Sequence, residues 1–274
     1  MEQRFVKEIE ITGIWGSKHF LWQDIKPDVN ILVGINGSGK STLINLIWGV
    51  LNGDVKHLKR YDFKEIILTL SDETRIVYDK GERLVSEQEN KLPAALISTF
   101  DIVPSKNSKT ETPLCTALMD IIYTTGKGRY SFFDYRLKAI NYPERAQEVQ
   151  NNIKKLFEII DNQFERTNKH IRIDVATNRI VFERDGDIVQ LENLSSGEKQ
   201  FLFIIFKVFL MEGKPYVLFM DEPEISLHID WQYELINVIR QLNPNSQLMI
   251  STHSPGIFGD GWGEKVTFAD DITK

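Results

Sequence analysis

A glycine-rich octapeptide constrains the fold of this chain more than any other feature. Residues 34–41 read Gly-Ile-Asn-Gly-Ser-Gly-Lys-Ser, a complete match to the pattern G-x-x-x-x-G-K-Ser/Thr. The apolar run 30–33 precedes it, and residues 42–51 place apolar side chains at helical spacing. The sequence therefore predicts a buried strand, a glycine loop and a helix in succession, an arrangement whose backbone N–H groups can cradle phosphates.

This loop carries the groups that a nucleoside triphosphate needs. Its glycines let the backbone curl around an anion, and the helix N-terminus adds a partial positive charge. We expect Lys40 to reach the β- and γ-phosphates of ATP and the Ser41 hydroxyl to bind Mg²⁺. The predicted ATP-binding residues of the loop are Asn36, Gly37, Ser38, Gly39, Lys40, Ser41 and Thr42.

Two carboxylates follow the apolar run 216–220, which predicts a central parallel strand covered on both faces. Asp221 and Glu222 then fall at the carboxyl end of that strand, where open α/β sheets place their ligands. We expect Asp221 to belong to the Mg²⁺ site and Glu222 to polarise the attacking water. Pro223 turns the chain away from the strand.

A histidine follows another apolar run, 247–250, which the sequence predicts to be the neighbour of the acidic strand. His253 would then lie within reach of a γ-phosphate and could report its presence through a hydrogen bond. The predicted catalytic residues are therefore Glu222, His253 and Lys40.

A serine-glycine segment precedes a helix that is apolar on nearly all sides. Residues 194–200 read Leu-Ser-Ser-Gly-Glu-Lys-Gln, and the apolar run 201–211 follows. The segment would form the N-terminus of the helix and present hydroxyls, free N–H groups and the positive end of the dipole. This predicts a second anion site, made by Ser195, Ser196, Gly197 and Glu198.

As a set, these motifs resemble those of the ABC ATPases. The signature of that family is usually Leu-Ser-Gly-Gly-Gln or -Glu, it precedes the acidic strand by about 25 residues, and the run 251–255, Ser-Thr-His-Ser-Pro, matches the family's switch histidine. The resemblance implies ATP hydrolysis by a homodimer with composite sites. In such a dimer, Ser195 and Gly197 of one protomer close over the γ-phosphate that the other protomer holds.

The residues after the acidic strand narrow the resemblance. Residues 221–232 depart from transporter subunits and look like the SMC/RecF branch, most of all the stand-alone bacterial defence ATPases of the AbiEii, overcoming-lysogenization-defect and Septu PtuA kind. The resemblance implies that Ser226, Leu227 and His228 form a loop crossing the dimer interface. We expect Asp230 to cap the amphipathic helix behind that loop.

The predicted fold class is α/β: an ABC ATPase head with a mostly parallel P-loop core sheet, a flanking antiparallel β-subdomain and a helical lobe. We expect a single ABC ATPase domain over residues 1–274. Its parts are an N-terminal part of the nucleotide-binding lobe (1–93), the helical lobe with a hairpin insertion (94–190), and the part with the signature helix, acidic strand and switch histidine (191–274). The hairpins are expected near residues 61–79 and 171–186, with Val175 in a strand.

Composition fits a soluble cytoplasmic protein. The chain is 42% hydrophobic and 26% charged, and its net charge of −6 argues mildly against non-specific binding to nucleic acid. Its one cysteine, Cys115, forms no intrachain disulfide. We find neither a signal-peptide pattern nor an apolar run long enough to span a membrane.

Three features admit more than one interpretation. The family's glutamine loop lacks its glutamine here; Asp101, after the predicted strand that begins at residue 94, takes that role or the loop lies elsewhere. The helical stripe over 146–164 packs within the helical lobe or docks a partner. The basic clusters 106–109 and 127–129 are solvated loops or contacts to nucleic acid.

Three functions compete at this point. The first is an ATPase switch in bacterial phage defence that controls a nuclease or toxin; because the chain ends at Lys274, we expect that effector to be a separate polypeptide. The second is a RecF-like DNA-repair clamp gated by ATP. The third, which the residues after Asp221 disfavour, is the nucleotide-binding subunit of a transporter.

Overall fold

The computed structural model describes residues 4–79, 83–86, 92–98, 112–126, 130–259 and 261–274, with only the backbone of 83–86. The chain divides into two compact units. Unit 1 comprises Met1–Thr99, Gly213–Glu224 and Pro244–Lys274, and unit 2 comprises Phe100–Glu212 and Ile225–Asn243. The predicted division into 1–93, 94–190 and 191–274 stays a prediction.

The strands are, in chain order, β1 Val6–Ile14, β2 Lys18–Trp22, β3 Val29–Val33, β4 Glu65–Leu70, β5 Arg75–Asp79, β6 Arg83–Ser86, β7 Ala94–Ser98, β8 His170–Ile173, β9 Ile180–Arg184, β10 Asp187–Gln190, β11 Val217–Asp221, β12 Gln247–Thr252 and β13 Val266–Phe268. The α-helices are α1 Lys40–Asn52, α2 Val55–Leu58, α3 Pro113–Tyr123, α4 Phe132–Asn141, α5 Ala146–Phe164, α6 Ser196–Phe209, α7 Ile229–Leu242 and α8 Pro255–Phe258. Short 3₁₀ turns cover Pro143–Arg145, Glu165–Thr167, Leu191–Asn193 and Gly263–Lys265.

A five-stranded parallel sheet forms the centre of unit 1, in the order β13-β3-β12-β11-β7. Strands β11 and β12 are adjacent, with Asp221 opposite Ser251, as the sequence predicts. Every residue of these two strands is buried, which explains their nearly continuous apolar sequences. The carboxyl ends of β3, β11 and β12 therefore lie side by side.

A second sheet of unit 1 is antiparallel, in the order β2-β1-β4-β5-β6. Its β4–β5 hairpin pairs Ile66 with Tyr78 and Leu68 with Ile76, and all four side chains are buried. The alternation of apolar and polar residues in the sequence therefore places one face of this hairpin in the core. Together the two sheets confirm the predicted parallel core and antiparallel β-subdomain.

Unit 2 combines helices with a small antiparallel sheet in the order β10-β9-β8. Helix α6 packs against α3 and α7, and its apolar sequence is buried on most sides. An aromatic cluster joins the elements: Trp231 stacks on Phe164 and Phe201 at centroid distances of 5.3 Å. The indole N–H of Trp231 also donates to the carbonyl of Gln163, so α7 is fixed to the end of α5.

Two local predictions are wrong. Asp230 is not the cap of α7; the cap is His228, whose ring nitrogen accepts the backbone N–H of Asp230, because the chain turns into the helix two residues earlier than the acidic side chain suggests. Val175 is not in a strand, since β8 ends at Ile173 and the Val175 side chain is 94% exposed in a turn. By contrast, α5 spans the predicted residues 146–164, and its apolar stripe packs within unit 2.

Within the described residues, no helix has both the length and the apolar character that crossing a bilayer requires.

Candidate active site

The glycine loop of unit 1 adopts the conformation that exposes its N–H groups. Gly39 has φ 99°, and a Cβ added there would lie 2.9 Å from the Trp15 ring, so both the backbone angle and the space favour glycine. Helix α1 begins at Lys40, and no side chain caps its N-terminus. The first N–H groups of this helix are therefore available to an anion.

Lys40 points into the site from the first turn of α1. Its Nζ donates to the carbonyls of Gly34 and Ile35 at 3.0 and 3.2 Å, and it lies 2.8 Å from Nε2 of His253. Burial lowers the pKa of Lys40, and the nearby carboxylates of Glu222, Asp221 and Glu224 act against that shift. The carboxylates therefore help to keep a buried ammonium charged.

Ser41 and Asp221 meet at the carboxyl end of β11. The Ser41 hydroxyl donates to Oδ1 of Asp221 at 2.9 Å, and the Ser251 hydroxyl donates to the same oxygen. Asp221 is buried as the last residue of its strand. A hydroxyl and a buried carboxylate oxygen are thus held together directly beside the phosphate loop.

Glu222 and His253 stand next to each other at the ends of neighbouring strands. Nε2 of His253 lies 3.1 Å from Oε1 of Glu222, so this nitrogen contacts both a carboxylate and the Lys40 ammonium. The Glu222 backbone has φ 47°, in the left-handed region, and its N–H donates to the Ser251 carbonyl at 2.9 Å. A strained backbone held at such a position is typical of functional sites.

These groups border an open cavity of about 480 Å³, lined by Trp15, Asn36, Gly37, Gly39, Lys40, Ser41, Thr42, Glu222 and His253. Ser38 is the exception among the predicted loop residues. Its Oγ is buried, and its backbone N–H donates to the Ile35 carbonyl at 3.2 Å.

Trp15 lines this cavity, although the sequence did not predict it to be part of the site. It follows β1 with φ 50°, its ring is 48% exposed, and Lys18 lies over it at 5.2 Å. A half-exposed indole on the rim of a phosphate site offers an aromatic face for a purine base. An aromatic residue in a turn, 25 positions before the motif lysine Lys40, carries no signal of its own in one sequence. Only the tertiary structure brings Trp15 next to Gly39.

The serine-glycine segment of unit 2 caps α6 as predicted. The Ser195 hydroxyl accepts the N–H of Glu198, and the Glu198 carboxylate accepts the N–H of Ser195, which together make a capping box. Lys169 pairs with Glu198 at 2.5 Å, and both side chains are largely buried. Burial opposes ionisation of Glu198, but the hydrogen bonds from Lys169 and Ser195 outweigh it, so the pKa of Glu198 is lowered.

Gly197 fits closely against the loop that follows the acidic strand. A Cβ at this position would collide with the Ser226 carbonyl oxygen, so the contact admits only glycine. Ser226 itself has φ 68°. The capped end of α6 and residues 226–228 therefore form one surface within unit 2.

That surface opens into a cavity of about 760 Å³, lined by Asn162, Gln163, Glu165, Arg166, Thr167, Ser195, Ser196, Gly197, Glu198, Ser226, Leu227, His228, Asp230, Trp231 and Glu234. Arg166 is the residue of this cavity that the sequence did not indicate. Its guanidinium pairs with Asp230, while the side chain stays 76% exposed. His228 approaches the same carboxylate at 3.2 Å.

The predicted residues thus form two groups. Unit 1 brings together Lys40, Ser41, Asp221, Glu222 and His253, and unit 2 brings Ser195 to Glu198 together with the loop 226–228. Their individual roles stay predictions. Asp101 and the basic clusters 106–109 and 127–129 lie outside the described residues.

A phosphate loop that leads from β3 into α1, and an acidic strand in the same parallel sheet, define an ATPase of the ABC class. The chain belongs to the AAA_15 family, described as an AAA ATPase domain, whose model matches residues 105–258.

Known proteins agree with this class. Septu protein PtuA of Bacillus thuringiensis is 25% identical over 91% of this chain and 72% of its own length. The Retron Vc95 probable ATPase of Vibrio cholerae serotype O1 biovar El Tor is 26% identical over 47% of this chain and 26% of its own length. A solved SMC head bound to the C-winged helix domain of ScpA superimposes with a TM-score of 0.59 at 16% identity, over 93% of this chain and 91% of that one, which shows the shared fold.

Proposed function

We propose that this ATPase is a switch of bacterial phage defence: it dimerises around ATP, hydrolyses it, and controls a separately encoded nuclease or toxin. The observation that carries the proposal is the cluster of Lys40, Glu222 and His253 around one cavity beside the glycine loop. The defence role rests on the likeness to a Septu protein PtuA and to a retron ATPase.

Each residue of the unit 1 cluster has a task in this proposal. The N–H groups at the start of α1 and the Lys40 ammonium bind the β- and γ-phosphates. The Glu222 carboxylate orients a water toward the γ-phosphorus and accepts its proton. His253 donates to the γ-phosphate and so registers whether it is present.

The hydroxyl of Ser41 and the carboxylate of Asp221 suit Mg²⁺, which prefers oxygen donors and keeps several waters beside one or two carboxylates. No group of three His, Cys, Asp or Glu side chains fit for a metal occurs in the part of the chain that the structure describes. When bound, Mg²⁺ would neutralise charge that develops on the phosphates.

Dimerisation follows from the composite site that the family resemblance implies. The unit 2 surface presents the Ser195 hydroxyl, the backbone N–H groups of Ser196 and Gly197 and the exposed Arg166 around an open cavity, while the capping box engages the N–H groups of Ser195 and Glu198. These groups attract an anion, and the partner's γ-phosphate is the anion that a symmetric dimer would supply. ATP then stabilises the closed dimer, and its hydrolysis releases the two subunits.

The first test is to trap the dimer by removing the Glu222 carboxylate. We expect Glu222→Gln to bind ATP with Mg²⁺ and to run at twice the monomer mass in light scattering, while wild type with ATP turns over and does not accumulate the dimer. Glu144→Gln, an exposed carboxylate on another element, is the matched control and should behave as wild type. A Glu222→Gln protein that binds ATP but stays monomeric would refute dimerisation while leaving ATP binding intact.

A complementation experiment tests whether the site is shared. Lys40→Ala destroys one half-site and Ser195→Arg the other, so each variant alone should be inactive. An equimolar mixture contains mixed dimers with one intact composite site, and we expect it to regain roughly a quarter of wild-type ATPase activity. An inactive mixture, with both variants folded, would show that the two half-sites do not meet in trans.

The effector is tested genetically and biochemically. We expect the gene for the effector to be required, together with this one, for protection against phage, and Glu222→Gln to retain the effector on copurification in ATP. Protection by this ATPase alone would contradict control of a separate effector.

A second candidate, the RecF-like DNA clamp, is favoured by one observation. Four exposed cations lie between the phosphate-loop helix and β4: Lys56 on α2, then Lys59, Arg60 and Lys64 in the segment that follows. Such a cluster suits a phosphate backbone, although the chain as a whole is acidic.

The clamp hypothesis makes a distinct prediction. Duplex DNA should bind to Glu222→Gln only when ATP is present. The affinity for DNA should fall by roughly 10³-fold or more between 50 and 200 mM salt. Binding should be lost when Lys59 and Arg60 are changed to Glu. Salt-independent binding, or binding unaffected by these changes, would exclude α2 as a clamp surface.

A further inference from the structure

The second glutamate of the Asp221–Glu224 run sits at the junction of two strand ends. Beyond the pairing of Asp221 with Ser251, the N–H of Glu222 still donates to the Ser251 carbonyl, but Pro223 has no N–H to continue the ladder. Glu224 then turns its carboxylate back toward the end of β12. The backbone pairing between the two strands therefore ends at this point, and the next contact between them is made by the side chain of Glu224.

One oxygen of Glu224 makes two contacts with the segment that carries the histidine. Oε1 accepts the Thr252 hydroxyl at 2.7 Å and the backbone N–H of His253 at 2.9 Å. Thr252 in turn accepts the N–H of Ser254 at 2.9 Å. The carboxylate thus fixes Thr252 and His253 through charge-assisted hydrogen bonds, which are stronger than neutral ones, and reaches Ser254 through the Thr252 hydroxyl.

The other oxygen of Glu224 is buried and has no hydrogen-bond partner among the described residues. A desolvated carboxylate oxygen is costly, so the sequence retains this group at some expense. A neutral acceptor would bind the same N–H and hydroxyl with a smaller desolvation cost. The two hydrogen bonds that Oε1 accepts are therefore made at a cost, which points to a role for the position of the segment that they hold.

We infer that Glu224 is a positioning residue for ATP hydrolysis, which acts by holding the His253 imidazole against Lys40 and Glu222. Nε2 of His253 lies 2.8 Å from Lys40 and 3.1 Å from Glu222, and the His253 backbone N–H donates to Glu224. A carboxylate on the acidic loop therefore sets the distance between the water-orienting group and the phosphate-sensing group. The inference rests on the proposed roles of Glu222 and His253.

Displacement of a catalytic group by about 1 Å costs on the order of 100-fold in rate. We expect Glu224→Ala to lower kcat roughly 10- to 100-fold, with the KM for ATP changed less than about threefold because the phosphate loop is untouched. Thr252→Val removes one of the two contacts and should cause a smaller loss of the same kind, as should Glu224→Gln, which keeps one oxygen.

A double-mutant cycle separates positioning from a merely structural role. Single-turnover ATP hydrolysis is measured for wild type, His253→Ala, Glu224→Ala and the double variant. If Glu224 acts through His253, then Glu224→Ala changes the rate less than about twofold once His253 is absent. Glu10→Ala, a half-buried carboxylate in the antiparallel sheet, serves as the control and should leave the rate unchanged in both backgrounds.

Equal losses in both backgrounds, or a fully active Glu224→Ala, would overturn the inference and leave the ATPase assignment standing. A His253→Ala variant as active as wild type would instead refute the proposed role of the histidine, and the inference with it. If Glu224→Ala fails to fold, as judged by circular dichroism, the same cycle is run with Thr252→Val, which removes a single hydroxyl.

Discussion

Nζ of Lys40 lies 2.8 Å from Nε2 of His253, although 213 positions separate the two residues in the chain. The contact joins the first turn of α1, which follows β3, to the end of β12, and β3 and β12 are neighbours in the parallel sheet. The carbonyls of Gly34 and Ile35 also accept hydrogen bonds from the Lys40 ammonium, so protein groups fix this ammonium beside the glycine loop.

Because the Lys40 ammonium is held in place beside the glycine loop, we expect its removal to have a large effect on ATP hydrolysis. We expect Lys40→Ala to lower kcat/KM for ATP by roughly 100-fold or more, because a preorganised charge at the transferred phosphate is lost. Steady-state phosphate release measures the effect, and Lys26→Ala, an exposed lysine of the same unit, is the control. A Lys40→Ala enzyme within about threefold of wild type would remove Lys40 from the proposed mechanism.

Trp15 provides a test of base recognition. We expect Trp15→Ala to weaken ATP binding roughly fivefold to tenfold, since an aromatic stacking contact contributes about 1 kcal/mol, whereas Trp15→Phe should stay near wild type. Isothermal titration measures both affinities, and quenching of the Trp15 fluorescence by ATP gives an independent signal. Equal affinities for the alanine and phenylalanine variants would place the base elsewhere.

Arg166 tests the second half-site. In the Glu222→Gln background, Arg166→Ala should raise the dimer dissociation constant in ATP roughly tenfold and reduce its dependence on salt, because a cation beside the capped helix is lost. Lys154→Ala, at a surface lysine that pairs with Glu158 along α5, is the matched control. Analytical ultracentrifugation at two salt concentrations measures the dissociation constant. If Arg166→Ala leaves it unchanged, Arg166 pairs with Asp230 within its own subunit and does not contribute to the site of the partner.

The ion pair between Lys169 and Glu198 predicts how stability responds to pH. Because the pKa of Glu198 is lowered in the folded state, its stabilising effect is complete above the ordinary carboxyl value of about 4.3 and disappears as pH falls through the lowered one. Glu198→Gln should therefore reduce the free energy of unfolding by about 2 kcal/mol at pH 7 and make little difference near pH 2. Urea unfolding at both pH values measures this, with Glu158→Gln as an exposed control. A difference that is independent of pH would mean that the charge of Glu198 is not what stabilises the helix.

The sequence predicted the groups that lie next to one another along the chain. Strand, loop and helix around Lys40, the serine cap of α6 and the acidic end of β11 are local patterns, and even the pairing of β11 with β12 follows from two buried apolar runs. What it could not predict depends on distant chain segments. Trp15 reaches the cavity because the turn between β1 and β2 lies against Gly39. Arg166 reaches the second cavity because α5 ends beside Asp230.

Local ambiguity explains the wrong predictions. Asp230 and His228 are both polar residues at a helix start, and only the backbone turn decides which one is the cap. Likewise, Glu224 looks like one more acidic residue in a loop until Pro223 is seen to interrupt the ladder beside it.

The chain passes between the two units four times, and one passage falls directly after Glu224. Neither unit is therefore encoded by a continuous stretch of the gene: unit 1 is assembled from three pieces and unit 2 from two. A single block that contains all of unit 2 therefore also contains the unit 1 piece Gly213–Glu224, which includes the acidic strand. Exchange of such a block between related genes would join an acidic strand of one origin to a glycine loop of another.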